Sequence, residues 1–280
     1  PNEDPFLYQT HVWVENERGE VLPKFAPGYP LLMAGGYLLF GDEGVFLVSP
    51  VMAVLGLLGM FVLAKQWMSP LVAFFATLAL ALTGSYLFYS GYLLTHITEL
   101  CVVVWAMVFL WRWLREPNWW AGLLAGFLLG AATSVRYTAV LFAAVMLIAL
   151  VATWFDALRG RRRAPWLSTL LMLAGYAVVP LLLAWYNHAH FGSVWITGYG
   201  LSDEQDAFTL ENFFAHYQLL NRGLSYDLIY LATPLAIVAI AAIGPVRERL
   251  MRAIWILPTY VVYAAYYWTP MNASYIRFLF

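Results

Sequence analysis

The chain has 280 residues, of which 62% are apolar and only 11% charged, and its mean hydropathy is +0.70. A soluble fold of this size has no core large enough to hide that much apolar surface. Fifteen basic against sixteen acidic residues leave a net charge of −1, which excludes a nucleic-acid binder, and the single Cys101 excludes a disulfide framework or a thiolate metal cluster. The composition is that of an integral membrane protein.

A helix needs about 20 apolar residues to cross the hydrocarbon. In chain order the candidate spans are 44–64, 67–89, 93–111, 117–135, 137–155, 164–187, 228–246 and 253–272. Arg277 opens a further apolar run, so the reading is about eight to nine spans. Transmembrane strands would show alternating segments about ten residues long. These are continuous runs, which predicts an all-α, polytopic transmembrane helix bundle. The chain starts without Met or a leader and stops three residues after Arg277, which predicts a fragment truncated at both ends. Residues 1–280 are read as a single transmembrane domain.

Charge orients the bundle. Ten of the fifteen basic residues fall on one face, among them the clusters at 159–163 and 247–252. Short basic loops of this kind stay cytoplasmic. Thirteen of the sixteen acids fall on the opposite face. A first external loop, 1–43, and a large external loop, 188–227, are therefore expected outside a cell (inner or plasma) membrane. Gly122, Gly126 and Gly130 recur on one helix face, a small-residue packing stripe read as structural.

Charges at membrane depth are costly and mark candidate sites. Glu3 and Asp4 precede an amphipathic stretch, as a solvated loop start or as a carboxylate base for an attacking hydroxyl. His96 and Glu99 lie three apart on one helical face. Such a pair can join a metal site, but a site needs three or four ligands and no third is found. No metal ligand is assigned, structural pairing is the other reading, and a divalent metal stays open. Arg136, alone among charges in residues 117–155, and Arg277 have no acid beside them in sequence. A guanidinium so placed needs an anion, and phosphate fits its fork. With Lys24 on the same face, they form a candidate anion site for a lipid phosphate.

These residues also resemble a family. Asp4-Pro5-Phe6-Leu7-Tyr8, then Pro23-Lys24-Phe25-Ala26-Pro27-Gly28-Tyr29-Pro30-Leu31-Leu32, then Leu39-Phe40-Gly41 resemble the first external loop of the GT-C glycosyltransferases. That group includes the protein O-mannosyltransferases and the lipid A aminoarabinose transferases. The glycine-rich stretch from Gly122 to Arg136 is similar to a family span ending in a basic residue. Tyr186-Asn187-His188-Ala189-His190-Phe191-Gly192-Ser193, Thr197-Gly198-Tyr199 and Ser274-Tyr275-Ile276-Arg277-Phe278 resemble later segments.

The resemblance implies a membrane glycosyltransferase that moves a sugar from a polyprenyl-phosphate donor to a lipid, glycan or protein acceptor, on the outer face and with inversion. It implies Asp4 as base with Glu3 as neighbour or substitute. Lys24, Arg136 and Arg277 become donor-phosphate contacts, and Tyr8, His96 and Glu99 complete the substrate-binding set. The family's lysine often directly precedes a Pro-Pro pair, whereas Phe25-Ala26 separate Lys24 from Pro27. The alternatives are a transporter or flippase of an amphipathic solute, or a lipid-linked glycan ligase or polymerase. A transporter should show two related halves with polar residues at mid-membrane depth, and no such repeat is seen.

The charge asymmetry makes a direct prediction. Labelling of intact cells with an impermeant thiol reagent should mark Ser202→Cys and spare Gly160→Cys. The reverse pattern overturns the orientation and the placement of every candidate site residue with it.

Overall fold

The computed structural model describes residues 13–161, 163–202, 208–215, 217–218 and 244–265. It starts with a hairpin of β1 (Trp13–Glu15) and β2 (Val21–Pro23), antiparallel with Val14 opposite Leu22. Asn16 shapes the turn: its Oδ1 accepts from the backbone N–H groups of Arg18 and Glu20. Among the described residues everything else of substance is helical, which bears out the all-α bundle.

Two helices, α1 (Gly28–Phe40) and α2 (Asp42–Ala64), form a tight hairpin around Gly41, whose φ of 64° and ψ of −149° suit only glycine. Within the segment read as the first external loop, 1–43, the chain forms the helix α1. Its apolar run is too short to span, and a search by span length passes over it. The 67–89 stretch is not one straight helix either. It comprises α3 (Pro70–Ala81) and α4 (Gly84–Ser90), bent by 67°. Thr83 causes the break, since its hydroxyl accepts from the N–H of Tyr86 and caps a new helix.

Next come α5 (Thr95–Arg115) and α6 (Trp119–Val135), the latter capped by Asn118, which accepts from Ala121 N at 2.9 Å. A 3₁₀ turn over Tyr137–Phe142 leads into α7 (Ala143–Leu158), followed by α8 (Trp166–Phe191). The last described helix is α9 (Val246–Ala264). Among the described residues, four helical segments are long and apolar enough to cross a membrane, or five if α3 and α4 make one bent span. At 17 residues α6 falls short, and α9 carries Arg247, Glu248, Arg249 and Arg252 at its start. Residues 228–243 and 266–272 of the remaining expected spans lie outside the described residues.

Burial runs opposite to hydropathy. Of the four spanning segments α5 is the least apolar and by far the most buried, while α2 and α8 are more apolar and mostly outward-facing. Lipid-exposed faces need apolar side chains, whereas interior ones are chosen for packing. Trp111, Trp113, Met107, Leu110 and Leu114 of α5 are completely covered. The closest helix pair is α6 with α8. A Cβ added at Gly126 would stand 1.9 Å from the carbonyl oxygen of Met172, and Gly122 and Gly130 meet α8 backbone in the same way. The stripe is structural: it lets two backbones touch.

At the arginine-rich end, Asp156 of α7 pairs with Arg247 at 3.0 Å and with Arg161 at 3.5 Å. Buried Glu248 lies 3.9 Å from Arg115 and 3.8 Å from Arg252. Asp156 and Glu248, two of the three acids on the arginine-rich face, thus tie α9 to α7 and α5.

Gly126→Ala should force α6 and α8 apart and cost about 1–3 kcal/mol, the usual range for overpacking. Gly35→Ala, with no atom within 4 Å of the added methyl, should be neutral or stabilising by up to about 1 kcal/mol. Reversible unfolding in detergent micelles measures both. Equal effects would remove the close approach as the reason for glycine.

Candidate functional site

The chemistry-bearing residues gather at the end opposite the arginine clusters. Because α5 and α6 are antiparallel neighbours, the first turn of α5 lies beside the last turn of α6. Helix α6 stops at Arg136, whose φ of −147° and ψ of 131° are those of an extended strand. Successive side chains of an extended backbone point to opposite sides. Arg136 turns towards α5 and Tyr137 towards α8.

On α5, His96 and Glu99 are both buried and share the face predicted from their spacing. Arg136 reaches both: its Nη1 lies 2.6 Å from His96 Nδ1 and 3.1 Å from Glu99 Oε2. A guanidinium only donates, so Nδ1 of His96 acts as acceptor and its proton sits on Nε2. Among the described residues no group of three or more His, Cys, Asp or Glu is placed to hold a metal. The expected anionic partner of Arg136 is in part the chain's own Glu99, an acid distant in sequence. Side-chain exposures of 15% and 8% make the pair largely buried. Such a pair gains little net stability but is costly to halve.

Tyr137 donates to Asn187 Oδ1 at 3.1 Å, and Asn187 is buried near the end of α8. The ring of Tyr137 meets Tyr199 edge-on at 6.2 Å, and Tyr199 in turn meets Phe25 at 5.8 Å. Lys24 completes this second cluster: it is 4% exposed, with its Nζ 5.7 Å from the Phe25 ring and 5.6 Å from that of Tyr199. The β1–β2 hairpin that leads into Lys24 is pinned to the end of α8, where Asn16 donates to His190 O at 2.8 Å and Arg18 to Ala189 O.

Of the eight site residues expected from sequence, His96, Glu99 and Arg136 form one contact group, and Lys24 joins the same end through Tyr199 and Tyr137. Glu3, Asp4, Tyr8 and Arg277 lie outside the described residues. Tyr137, Asn187 and Tyr199 were not counted as site residues. The adjacency of Tyr137 to Arg136 and the Tyr186-Asn187-His188 and Thr197-Gly198-Tyr199 motifs were the signals available for them.

Removing one member of the buried pair strands the other. Arg136→Ala and Glu99→Gln should each destabilise the protein, Arg136→Ala by about 3–5 kcal/mol. Arg136→Ala combined with Glu99→Leu should cost clearly less than the sum of the two single changes. Additivity in a double-mutant cycle of unfolding free energies would show that the two groups do not interact.

Comparison with known proteins gives this end of the bundle a setting. The family described as dolichyl-phosphate-mannose-protein mannosyltransferase matches residues 24–185. A crystal structure of ArnT from Cupriavidus metallidurans bound to undecaprenyl phosphate has a similar fold, with a TM-score of 0.66 and 18% identity. The superposition covers 91% of this chain and 48% of that one, so the chain spans about half the length of ArnT. No curated protein sequence matches the chain. The family match starts at Lys24, runs through His96, Glu99 and Arg136 into α8, and takes in more than half of the sequence: the chain belongs to the dolichyl-phosphate-mannose-protein mannosyltransferase family of GT-C membrane proteins.

Proposed function

We propose that the protein, as one domain over residues 1–280, is an inverting membrane glycosyltransferase that takes a sugar from a polyprenyl-phosphate donor and places it on an acceptor hydroxyl. The observation that carries this reading is the assembly of two cationic residues, Arg136 with its His96–Glu99 pair and Lys24 with its aromatic neighbours, at one end of a bundle of this family. The structurally similar ArnT was crystallised with undecaprenyl phosphate, which supports a lipid phosphate as the donor's charged part. The arginine-rich clusters at the other end support a site on the extracytoplasmic face.

The chemistry follows from the leaving group. An acceptor hydroxyl attacks the anomeric carbon as the bond to the phosphate oxygen breaks. Its proton passes to a carboxylate, for which Asp4 is the candidate with Glu3 beside it. The phosphate departs as an anion, so no general acid is needed, unlike the two carboxyl groups of hydrolytic glycosidases. A single displacement inverts the anomeric centre. Lys24, Arg136 and Arg277 meet the phosphate charge, His96 and Glu99 fix the Arg136 guanidinium, and Tyr8 lies in the same first-loop motif.

The test uses full-length protein in detergent with a panel of polyprenyl-phosphate sugars, following release of polyprenyl phosphate. Asp4→Asn keeps shape and hydrogen bonding but removes basicity. Turnover should fall about 10²–10⁴-fold, the usual contribution of general-base catalysis, with donor binding nearly unchanged. Glu3→Gln should be milder. Parental turnover in both variants would exclude either carboxylate as base, and release from no donor would favour transport of an amphipathic solute.

A further inference from the structure

The short turn that follows α8 is built around Lys24 in two ways. Gly198 is buried against the lysine's own backbone: a Cβ added there would stand 2.5 Å from Lys24 Cα and 2.5 Å from its carbonyl oxygen. No other residue type fits that approach. One residue on, the Tyr199 ring lies 5.6 Å from the Lys24 ammonium. The same ring is braced edge-on by Phe25 on one side and by Tyr137 on the other. A charged amine over an aromatic face within about 6 Å is attracted to it, more strongly where water is excluded. Lys24 is 4% exposed.

We propose that Tyr199 is a positioning residue for Lys24, with Gly198 seating the turn on the lysine's backbone and the tyrosine ring fixing where its ammonium stands for an anionic donor phosphate. The functional half of this statement rests on the reading of Lys24 as a phosphate contact. The positional half rests on the contacts alone. The tyrosine touches no reacting atom; it acts through the lysine and, through Tyr137, keeps that lysine in register with Arg136.

Two measurements on the full-length protein separate the halves. The first is the rate at which an amine-acylating reagent modifies Lys24, followed by peptide mass spectrometry. Losing the ring removes a contact that favours the charged amine, so more neutral amine reacts. Tyr199→Leu and Tyr199→Met should each raise the rate about two- to thirty-fold, and Tyr199→Phe, which keeps the ring, should stay near the parental rate. Gly198→Ala should raise it too, because the methyl displaces an intact ring. Unchanged acylation in folded Leu and Met variants overturns the proposal, and so does a Phe variant that behaves like Leu.

The second measurement is binding of undecaprenyl phosphate in micelles. Tyr199→Leu should weaken it in the parent and add nothing in a Lys24→Met background. Equal weakening in both backgrounds overturns action through Lys24. Full binding by Lys24→Met alone instead removes the phosphate reading, while the acylation rates still decide the positioning.

Discussion

The buried contact of Arg136 with Glu99 and His96 is the constraint around which the candidate end of the bundle is organised. In a membrane protein a guanidinium cannot be left among apolar side chains, and a buried carboxylate on α5, the most buried of the spanning helices, is also costly alone. Each makes the other tolerable, and the geometry is demanding because both groups are largely covered. The first turn of α5 must therefore lie beside the point where α6 ends. Tyr89, whose ring lies 5.4 Å from His96, brings α4 to the same place.

The two ends of the bundle treat charge differently. At the arginine-rich end, acids bridge two arginines each: Asp156 joins α9 to the 159–163 loop, and Glu248 joins α5 to α9. Arg115 and Arg161 are well exposed there, so much of that charge meets water or lipid headgroups and the pairs act as fasteners. At the opposite end the candidate cations Arg136 and Lys24 are largely covered. Arg136 lies against a carboxylate, and Lys24 stands close to the rings of Phe25 and Tyr199. An aromatic face attracts an ammonium without neutralising it.

Much of this was legible in the sequence because it depends on composition or on helical spacing. The all-α bundle followed from long apolar runs, the glycine stripe from its four-residue period, and the shared face of His96 and Glu99 from a spacing of three. What was not legible depends on local breaks and on contacts between distant segments. One hydroxyl, Thr83, divides an apolar run that reads as a single span. A helix as short as α1 stays below any length threshold. The partner of Arg136 could not be read from neighbouring residues, because it sits on another helix. Tyr199 was visible only as part of a motif, since its role depends on a turn folding back onto Lys24.

The extended conformation at Arg136 explains how so few residues organise so much. Had α6 continued as a helix, residues 136 and 137 would project about 100° apart and both would face one side of the bundle. The break sets them on opposite sides, so that adjacent positions serve α5 and α8 at once. Arg136 fixes the His96–Glu99 face, and Tyr137 fixes Asn187 and the ring of Tyr199, which reaches Lys24. The hairpin before Lys24 is pinned separately to the end of α8. Lys24 is thus held from the end of α8 and from the α6 break, and a shift of α6 relative to α8 would change the spacing of the arginine and the lysine. The glycine contacts that forbid such a shift lie about two to four turns away along α6, at Gly130, Gly126 and Gly122. A stripe whose role is packing is in this way also what holds two cations at a constant separation.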